Sequence, residues 1–256
     1  MKKGLLTVII SAGLALCGNM YAADFSLSAG GGGLLGGLFT RYTASGHGIM
    51  GGEVLHVIQT QDISQFNYGG FVFFDATYAE LSVSIQSGVN TWEQLLDQVL
   101  PDLKSDKGKG WETMMGFSLL AKYPFTLTSR LSLFPLAGVE YQVSLVQKRS
   151  LSADNRVYNR TNGIYEKNKD KKALKLSDWN SLFINIGAGA DFNLTPGLFI
   201  RGEILYGFRL MTPWEKDGLT QLQDTIHNHD LKLSGLTSGP SFRIGLGWRF
   251  FTLGNR

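Results

Sequence analysis

Apolar residues alternate with small or polar residues along eight segments of this chain, which is the pattern of half-buried β-strands. The clearest segment is 78–87, where the apolar positions Ala79, Leu81, Val83 and Ile85 oppose Glu80, Ser82, Ser84 and Gln86. The predicted strands are 24–43, 66–74, 78–87, 111–123, 131–146, 180–193, 197–210 and 241–251.

The connections between these strands are alternately long and short. The short ones carry turn residues, at Asp75-Ala76-Thr77, Pro124 to Arg130 and Thr195-Pro196. This rhythm predicts an all-β fold: an eight-stranded antiparallel up-and-down β-barrel with four long loops at one end. The glycines at 30–33 and 36–37 predict a bend or bulge in the first strand.

Alternation alone fits two barrels, because a soluble barrel turns its apolar face inward and a membrane barrel turns it outward. The polar face here is rich in Gly, Ser and Asn, which suit the narrow interior of eight strands. Aromatic residues mark both ends of the strands. Those beside long loops are Trp111, Trp179 and Trp214, and those near short turns are Phe74, Tyr78, Tyr123, Phe125, Phe192, Phe199, Trp248, Phe250 and Phe251. Two such girdles favour a transmembrane barrel with extracellular long loops.

The first residues have the form of a secretory signal peptide. Lys2 and Lys3 precede an apolar run of about 13 residues that ends on small residues near Ala22. We therefore expect a cleaved signal peptide over 1–22 and a single barrel domain over 23–256. The only cysteine, Cys17, lies within the signal region, and an alternative interpretation makes it a lipidated N-terminus.

Composition narrows the function classes. Hydrophobic residues make up 43% of the chain and the formal net charge is +3, which is too small to indicate nucleic acid as a partner. The mean hydropathy is near zero, as expected when apolar positions are spread over every strand.

With these features the chain resembles the small eight-stranded bacterial outer-membrane β-barrels, the group of OmpX, OmpW and the membrane domain of OmpA. The resemblance covers 23–256 and rests on architecture. It implies a bacterial outer-membrane location, with outer-membrane lipid and the outer-membrane assembly machinery as partners. Two features depart from the group: Phe250-Phe251 are followed by five further residues, and the predicted lumen is charged, unlike the apolar lumen of OmpW.

Charged residues on the small-residue face predict an ionic lumen. They are Glu80, Lys122, Glu140, Asp191, Arg201, Glu203, Arg209, Arg243 and Arg249. Charges in so confined a space must pair or hold water. We expect a salt-bridge network that closes the barrel, and the alternative is a narrow ion path.

The third long loop, 147–179, is strongly basic. Its cations are Lys148, Arg149, Arg156, Arg160, Lys167, Lys169, Lys171, Lys172 and Lys175, against four acidic residues. Such a run is usually a solvated surface, and the functional alternative is a site for an anionic extracellular ligand.

In the second long loop, Trp92, Leu95, Leu96, Val99, Leu100 and Leu103 follow helical spacing and predict a short amphipathic helix. Four histidines in the first and fourth loops give only a weak metal signal, and we expect no metal and no cofactor. No His-x-Ser pair or carboxylate pair indicates catalytic residues.

The sequence therefore predicts a surface or envelope barrel that is not an enzyme. A narrow channel for small solutes is the alternative, and a lipid-modifying enzyme is a third possibility.

Overall fold

In a computed structural model, the described residues are 25–50, 53–97, 106–150, 156–159, 164–167, 180–210 and 232–253. They form eleven strands. These are β1 (Phe25–Met50), β2 (Glu53–Ala76), β3 (Ala79–Asp97), β4 (Asp106–Lys122), β5 (Phe125–Thr126), β6 (Leu131–Ser150), β7 (Arg156–Asn159), β8 (Ile164–Lys167), β9 (Ser181–Asn193), β10 (Leu198–Arg209) and β11 (Lys232–Leu253). Within these ranges, no helix has the length and apolar character needed to cross a bilayer.

Eight strands close into a ring in the order β1, β2, β3, β4, β6, β9, β10 and β11, and β11 returns to pair with β1. Every pairing is antiparallel. The two-residue β5 adds to the edge of β6, while β7 and β8 form a separate two-stranded sheet. The predicted up-and-down barrel of eight strands is confirmed.

Side chains alternate across the wall as predicted. Leu119, Ile184 and Leu246 point away from the lumen and are 51%, 45% and 55% exposed. Other exposed members of this outer apolar belt are Leu35, Val72, Leu81, Ile85, Val139, Ile204 and Ile244. A continuous apolar outer surface on a closed ring is suited to lipid and costly in water.

Aromatic pairs border the belt at both ends. At the end with short turns, Tyr78 and Tyr123 lie 6.0 Å apart between ring centroids, and Phe74 and Phe250 lie 6.2 Å apart. At the opposite end, Phe66 packs on Tyr68 at 6.4 Å, and Tyr206 packs on Phe208 at 5.0 Å. Phe199, which the sequence placed in the short-turn girdle, is instead buried in the lumen. It belongs to the inward register of β10, opposite Gly247.

The strands run further toward the long connections than predicted. β1 and β2 pair without interruption to Met50 and Glu53, so most of the predicted first loop is a paired hairpin. The segment 91–97, predicted as the start of a helix, lies in β3 and pairs with β2. Backbone pairing with neighbouring strands outweighs the local helical spacing there. The rest of that predicted helix, 98–105, lies outside the described residues.

The predicted bulge is absent at Gly30 to Gly33, whereas pairing of β1 with β11 is interrupted beside Gly37. Gly30 to Gly33 keep regular register with both neighbours, and the one shift in the β1–β11 pairing lies between Leu27 and Ser28. Small residues are needed here because a Cβ on Gly30 would lie 2.6 Å from Cζ of Phe73 and 2.2 Å from the carbonyl oxygen of Leu246. The glycines leave room for aromatic side chains inside the barrel.

Candidate functional site in the barrel lumen

Arg201 of β10 is the centre of the lumen and is only 1% exposed. Its Nε and Nη2 donate to the two oxygens of Asp191 at 2.7 and 2.8 Å. Nη1 donates to Glu80 Oε2 at 2.6 Å, and Nη2 also donates to Asp75 Oδ2 at 2.5 Å. Lys122 donates to the same Asp75 oxygen. We call these five residues the Arg201 cluster.

Aromatic rings surround this cluster. The guanidinium carbon of Arg201 lies 4.5 Å from the ring centre of Phe73, and 5.2 Å from those of Phe134 and Phe199. Lys122 Nζ lies 4.7 Å from the centre of the Phe134 ring. Ring faces attract cations, and bulky rings exclude water. The lumen is therefore packed with both apolar and ionic groups at this level.

Two buried apolar clusters complete the packing of the lumen. One contains Leu34, Phe71, Phe73 and Phe199, and the other contains Leu120, Phe134, Leu136 and Leu205. Glycines on the facing strands accommodate these rings. A Cβ on Gly189 would lie 2.2 Å from Phe134 Cε2, and one on Gly247 would lie 2.2 Å from Phe199 Cζ.

Arg243 of β11 forms a second ionic layer on the side of the long connections. Its Nη2 donates to Glu140 Oε2 at 3.1 Å, and Nη1 donates to Ser82 Oγ at 3.2 Å. Glu140 also accepts hydrogen bonds from Gln86, Ser118, Gln142 and Asn185. This carboxylate is thus held by donors from five strands.

Glu203 lies between the two layers and is 2% exposed. Its oxygens lie 3.9 Å from Arg201 Nε and 3.9 Å from Arg243 Nη1. Neither oxygen has a hydrogen-bond partner in the described structure. Glu203 therefore interacts with both arginines through charge at 3.9 Å, without fixing the geometry of either.

Toward the long connections the lumen is mainly polar, with Glu112 and Arg209 as its charged residues and two small cavities of about 40 and 30 Å³. Gln65 Nε2 donates to Glu112 Oε1 at 2.5 Å and to Asn67 Oδ1 at 2.7 Å. Arg209 donates to the Tyr42 hydroxyl and to Thr237 Oγ1, the latter at 2.9 Å. Cavities of this size hold a few water molecules at most.

The structure brings most of the predicted lumen charges together, in these two layers. Arg209 lies apart from them at the level of Tyr42, and Arg249 lies half-buried over the Phe199 ring at 5.5 Å. Sequence reasoning missed Asp75 and Glu112. Asp75 was assigned to a turn, yet it is two and four residues from the inward Phe73 and Phe71. That spacing was the available signal.

Little of the predicted basic loop falls in the described structure. Lys148 and Arg149 lie in β6, Arg156 lies in β7 and Lys167 lies in β8. The remaining five, Arg160, Lys169, Lys171, Lys172 and Lys175, lie outside the described residues. Residues 1–24 are also outside them, so the signal peptide stays a prediction.

The two ionic layers of the described lumen carry five buried carboxylates around three buried cations, with Glu112 as a sixth buried carboxylate nearer the long connections, and the described residues show no cluster of metal-ligating side chains. A closed antiparallel ring with an apolar exterior, aromatic girdles and an ionic interior is an outer-membrane β-barrel. The bacterial outer membrane is where this class of barrel resides.

Comparison with known proteins gives distant similarities to barrels of this class. The chain is similar to the outer membrane protein OprG from Pseudomonas aeruginosa, with 13% identity, a TM-score of 0.42, and coverage of 90% of this chain and 96% of that one. The chain is also similar to the outer membrane protease OmpT from Escherichia coli, with 10% identity, a TM-score of 0.37, and coverage of 90% of this chain and 98% of that one. A third similar structure is Ail, the attachment invasion locus protein of Yersinia pestis, with 15% identity, a TM-score of 0.30, and coverage of 89% of this chain and 98% of that one.

No protein-family model and no curated protein sequence matches the chain. Because all three TM-scores are below 0.5, the class assignment depends on the strand pairing and the apolar belt of this chain.

Proposed function

We propose that this protein is a closed, non-enzymatic envelope barrel that presents its long-connection end as an interaction surface. The observation that carries the proposal is the Arg201 cluster, which fills the lumen together with the rings of Phe73, Phe134 and Phe199. An arginine held by three carboxylates and enclosed by three rings leaves no room for a hydrated solute to pass.

The rim at the long-connection end is uneven, which supports a role in display. β1 and β2 continue to Met50 and Glu53, whereas β9 begins at Ser181 and β10 ends at Arg209. At about 3.4 Å per residue, the β1–β2 hairpin extends well beyond the aromatic girdle near Phe66. This hairpin and the basic segment 147–179 would meet extracellular molecules first.

Planar-bilayer recording tests the closed lumen. Refolded protein should give no stable conductance, provided that the same preparation shows the heat-dependent gel shift of a folded barrel. Stable single-channel steps from the unmodified protein would overturn the proposal and favour the narrow channel. Loss of those steps on Glu203→Gln or Arg209→Gln would place the conducting path in the lumen.

Deletion of 155–175 tests the role of the basic segment. We expect the barrel to fold, because β7 and β8 pair only with each other in the described sheet. Binding to immobilised dextran sulfate should fall, since the deletion removes most of the positive charge. Deletion of 212–230 is the matched control, because that segment of similar length is net acidic. Unchanged binding after the first deletion would contradict the role in anion binding.

A further inference from the structure

A groove of about 760 Å³ lies on the outer wall of the barrel, where β2, β1 and β11 run side by side. It is at the long-connection end, just beyond the belt. The groove is lined by Phe39, Arg41, Asp62, Ser64, Ser234 and Leu236, among others. Since this surface faces the membrane and its boundary, the groove is outside the lumen and separate from the site described above.

Local sequence explains why the wall is recessed here. Pairing between β1 and β11 skips from Gly36–Ser241 to Phe39–Ser238, and Pro240 between them has no backbone N–H to donate. The neighbouring Ser64 and Ser234 are short side chains that leave the outer surface low at this point. The larger Phe39 and Leu236 then stand out from the surface, 59% and 58% exposed.

The chemistry of the groove changes across its height. Phe39 and Leu236 give it an apolar lower side that continues the belt. Two residues further along β1, Arg41 donates from Nε and Nη2 to both oxygens of Asp62, at 2.7 and 2.8 Å. The hydrogen bonds from Arg41 hold the pKa of the Asp62 carboxyl below its ordinary value, so the pair is ionised at neutral pH.

Arg41 remains available to a ligand despite this pair. Its side chain is 72% exposed, and a guanidinium has five N–H donors, of which Asp62 takes two. Lys232 is exposed on the same outer face, two residues beyond Ser234 on β11. Glu93 of β3 is the partner of Asp62, so two cations and two carboxylates share this surface, and the donors for a ligand are the remaining N–H groups of Arg41 and the serine hydroxyls beside it.

We propose that this groove binds the phosphorylated headgroup of an outer-leaflet lipid, with the phosphate on Arg41 and the adjoining acyl chain on Phe39 and Leu236. A phosphate oxygen is a strong acceptor for arginine, and the boundary between belt and water is the level at which lipid phosphates lie. The apolar side of the groove distinguishes a lipid from a free anion.

Native mass spectrometry of the refolded full chain in detergent tests this assignment. The protein is titrated with bisphosphorylated lipid A and with a phosphate-free analogue that has the same acyl chains. Arg41→Gln should weaken lipid A binding about tenfold, the loss expected for one charge-assisted hydrogen-bonded contact. Asp62→Asn should strengthen it, because the competing carboxylate is removed. Neither change should affect binding of the phosphate-free analogue.

Arg130→Gln is the matched control, because Arg130 is an exposed cation at the short-turn end. An equal loss of affinity in this variant would overturn the site and indicate general charge attraction. Inorganic phosphate that competes at the same concentration as lipid A would show an anion site without lipid selectivity, and would also overturn the proposal. The gel shift of each variant verifies folding, which substitution of these exposed residues should leave intact.

Discussion

At the scale of single residues, the lumen shows how glycine and large side chains are matched across strands. Gly247 faces Phe199 and Gly189 faces Phe134, so a ring on one strand occupies the volume that a side chain on the next strand would fill. The outward Gly202 carries no such requirement, since a Cβ there would meet nothing within 4 Å.

Gly247→Ala should therefore destabilise the barrel by about 1–3 kcal/mol, the usual cost of overpacking a filled interior. The free energy of unfolding in urea, measured in detergent micelles, checks this value. Gly202→Ala is the control on the neighbouring strand and should leave that free energy nearly unchanged. Equal effects from the two substitutions would mean that the contact with Phe199 is not limiting.

Arg201→Met should cost about 3–5 kcal/mol, because it leaves Asp75, Glu80 and Asp191 buried without their common cation. Urea unfolding is again the measurement, and Arg130→Met on the exposed turn is the control. A small effect would show that the carboxylates find other partners or take up protons. In that case the cluster would contribute little to keeping the lumen filled.

At the scale of strands, the sequence predicted each element well where lipid imposes alternation and less well elsewhere. The predicted strand 180–193 nearly coincides with β9, Ser181–Asn193, because apolar residues on its outward face alternate with small or polar residues on its inward face. Beyond the belt both faces of a strand meet water, so the apolar period disappears although pairing continues. This is why 44–50 and 88–97 were assigned to loops.

The lumen was predictable to a similar extent. The period of two identifies the inward charges of β3, β4, β6, β9, β10 and β11. It does not separate inward from outward positions in β2, and Asp75 is predicted to lie in a turn. Which acid meets which base depends on shear between strands that are distant in sequence, as for Arg201 and Asp75, 126 residues apart. No local pattern contains that information.

Pairing also predicts which part of the β1–β2 hairpin is dispensable. Within the described part of the chain, 46–50 and 53–57 pair only with each other, since β1 contacts β11 as far as Ser45 and β2 contacts β3 from Ile58. Replacing 46–57 with an Asn-Gly turn should change the unfolding free energy by no more than about 0.5 kcal/mol.

The control for this replacement extends the excision to 44–59, which also removes pairs with β3 and β11. The longer excision should lower the urea midpoint. If the shorter excision already does so, the projecting hairpin contributes to the barrel through contacts other than strand pairing.

At the scale of the whole molecule, pairing between β1 and β11 closes the ring. This pairing encloses the lumen on one side of the wall and brings together the residues of the groove on the other. The predicted location of Cys17 in a signal peptide would leave the mature chain without a thiol, so introduced cysteines can report this closure. Leu35 and Phe242 are direct partners across the β1–β11 boundary.

Leu35→Cys with Phe242→Cys should form a disulfide under mild oxidation in the folded protein, because paired residues in antiparallel strands lie within bonding reach. Leu35→Cys with Leu246→Cys is the control, displaced by four residues and out of reach. Mobility on a non-reducing gel distinguishes the two. Preferential cross-linking of the control pair would contradict the register of the ring.

The eight charges of the two ionic layers come from seven of the eight barrel strands, and only β1 contributes none. A half-built sheet therefore presents ions whose counter-ions are still on strands that have not arrived. Moving such a sheet into hydrocarbon is heavily penalised until the last strand docks. We therefore expect the salt bridges that fill the finished lumen to oppose entry of an incomplete sheet into the bilayer, and to favour insertion of the whole ring at once.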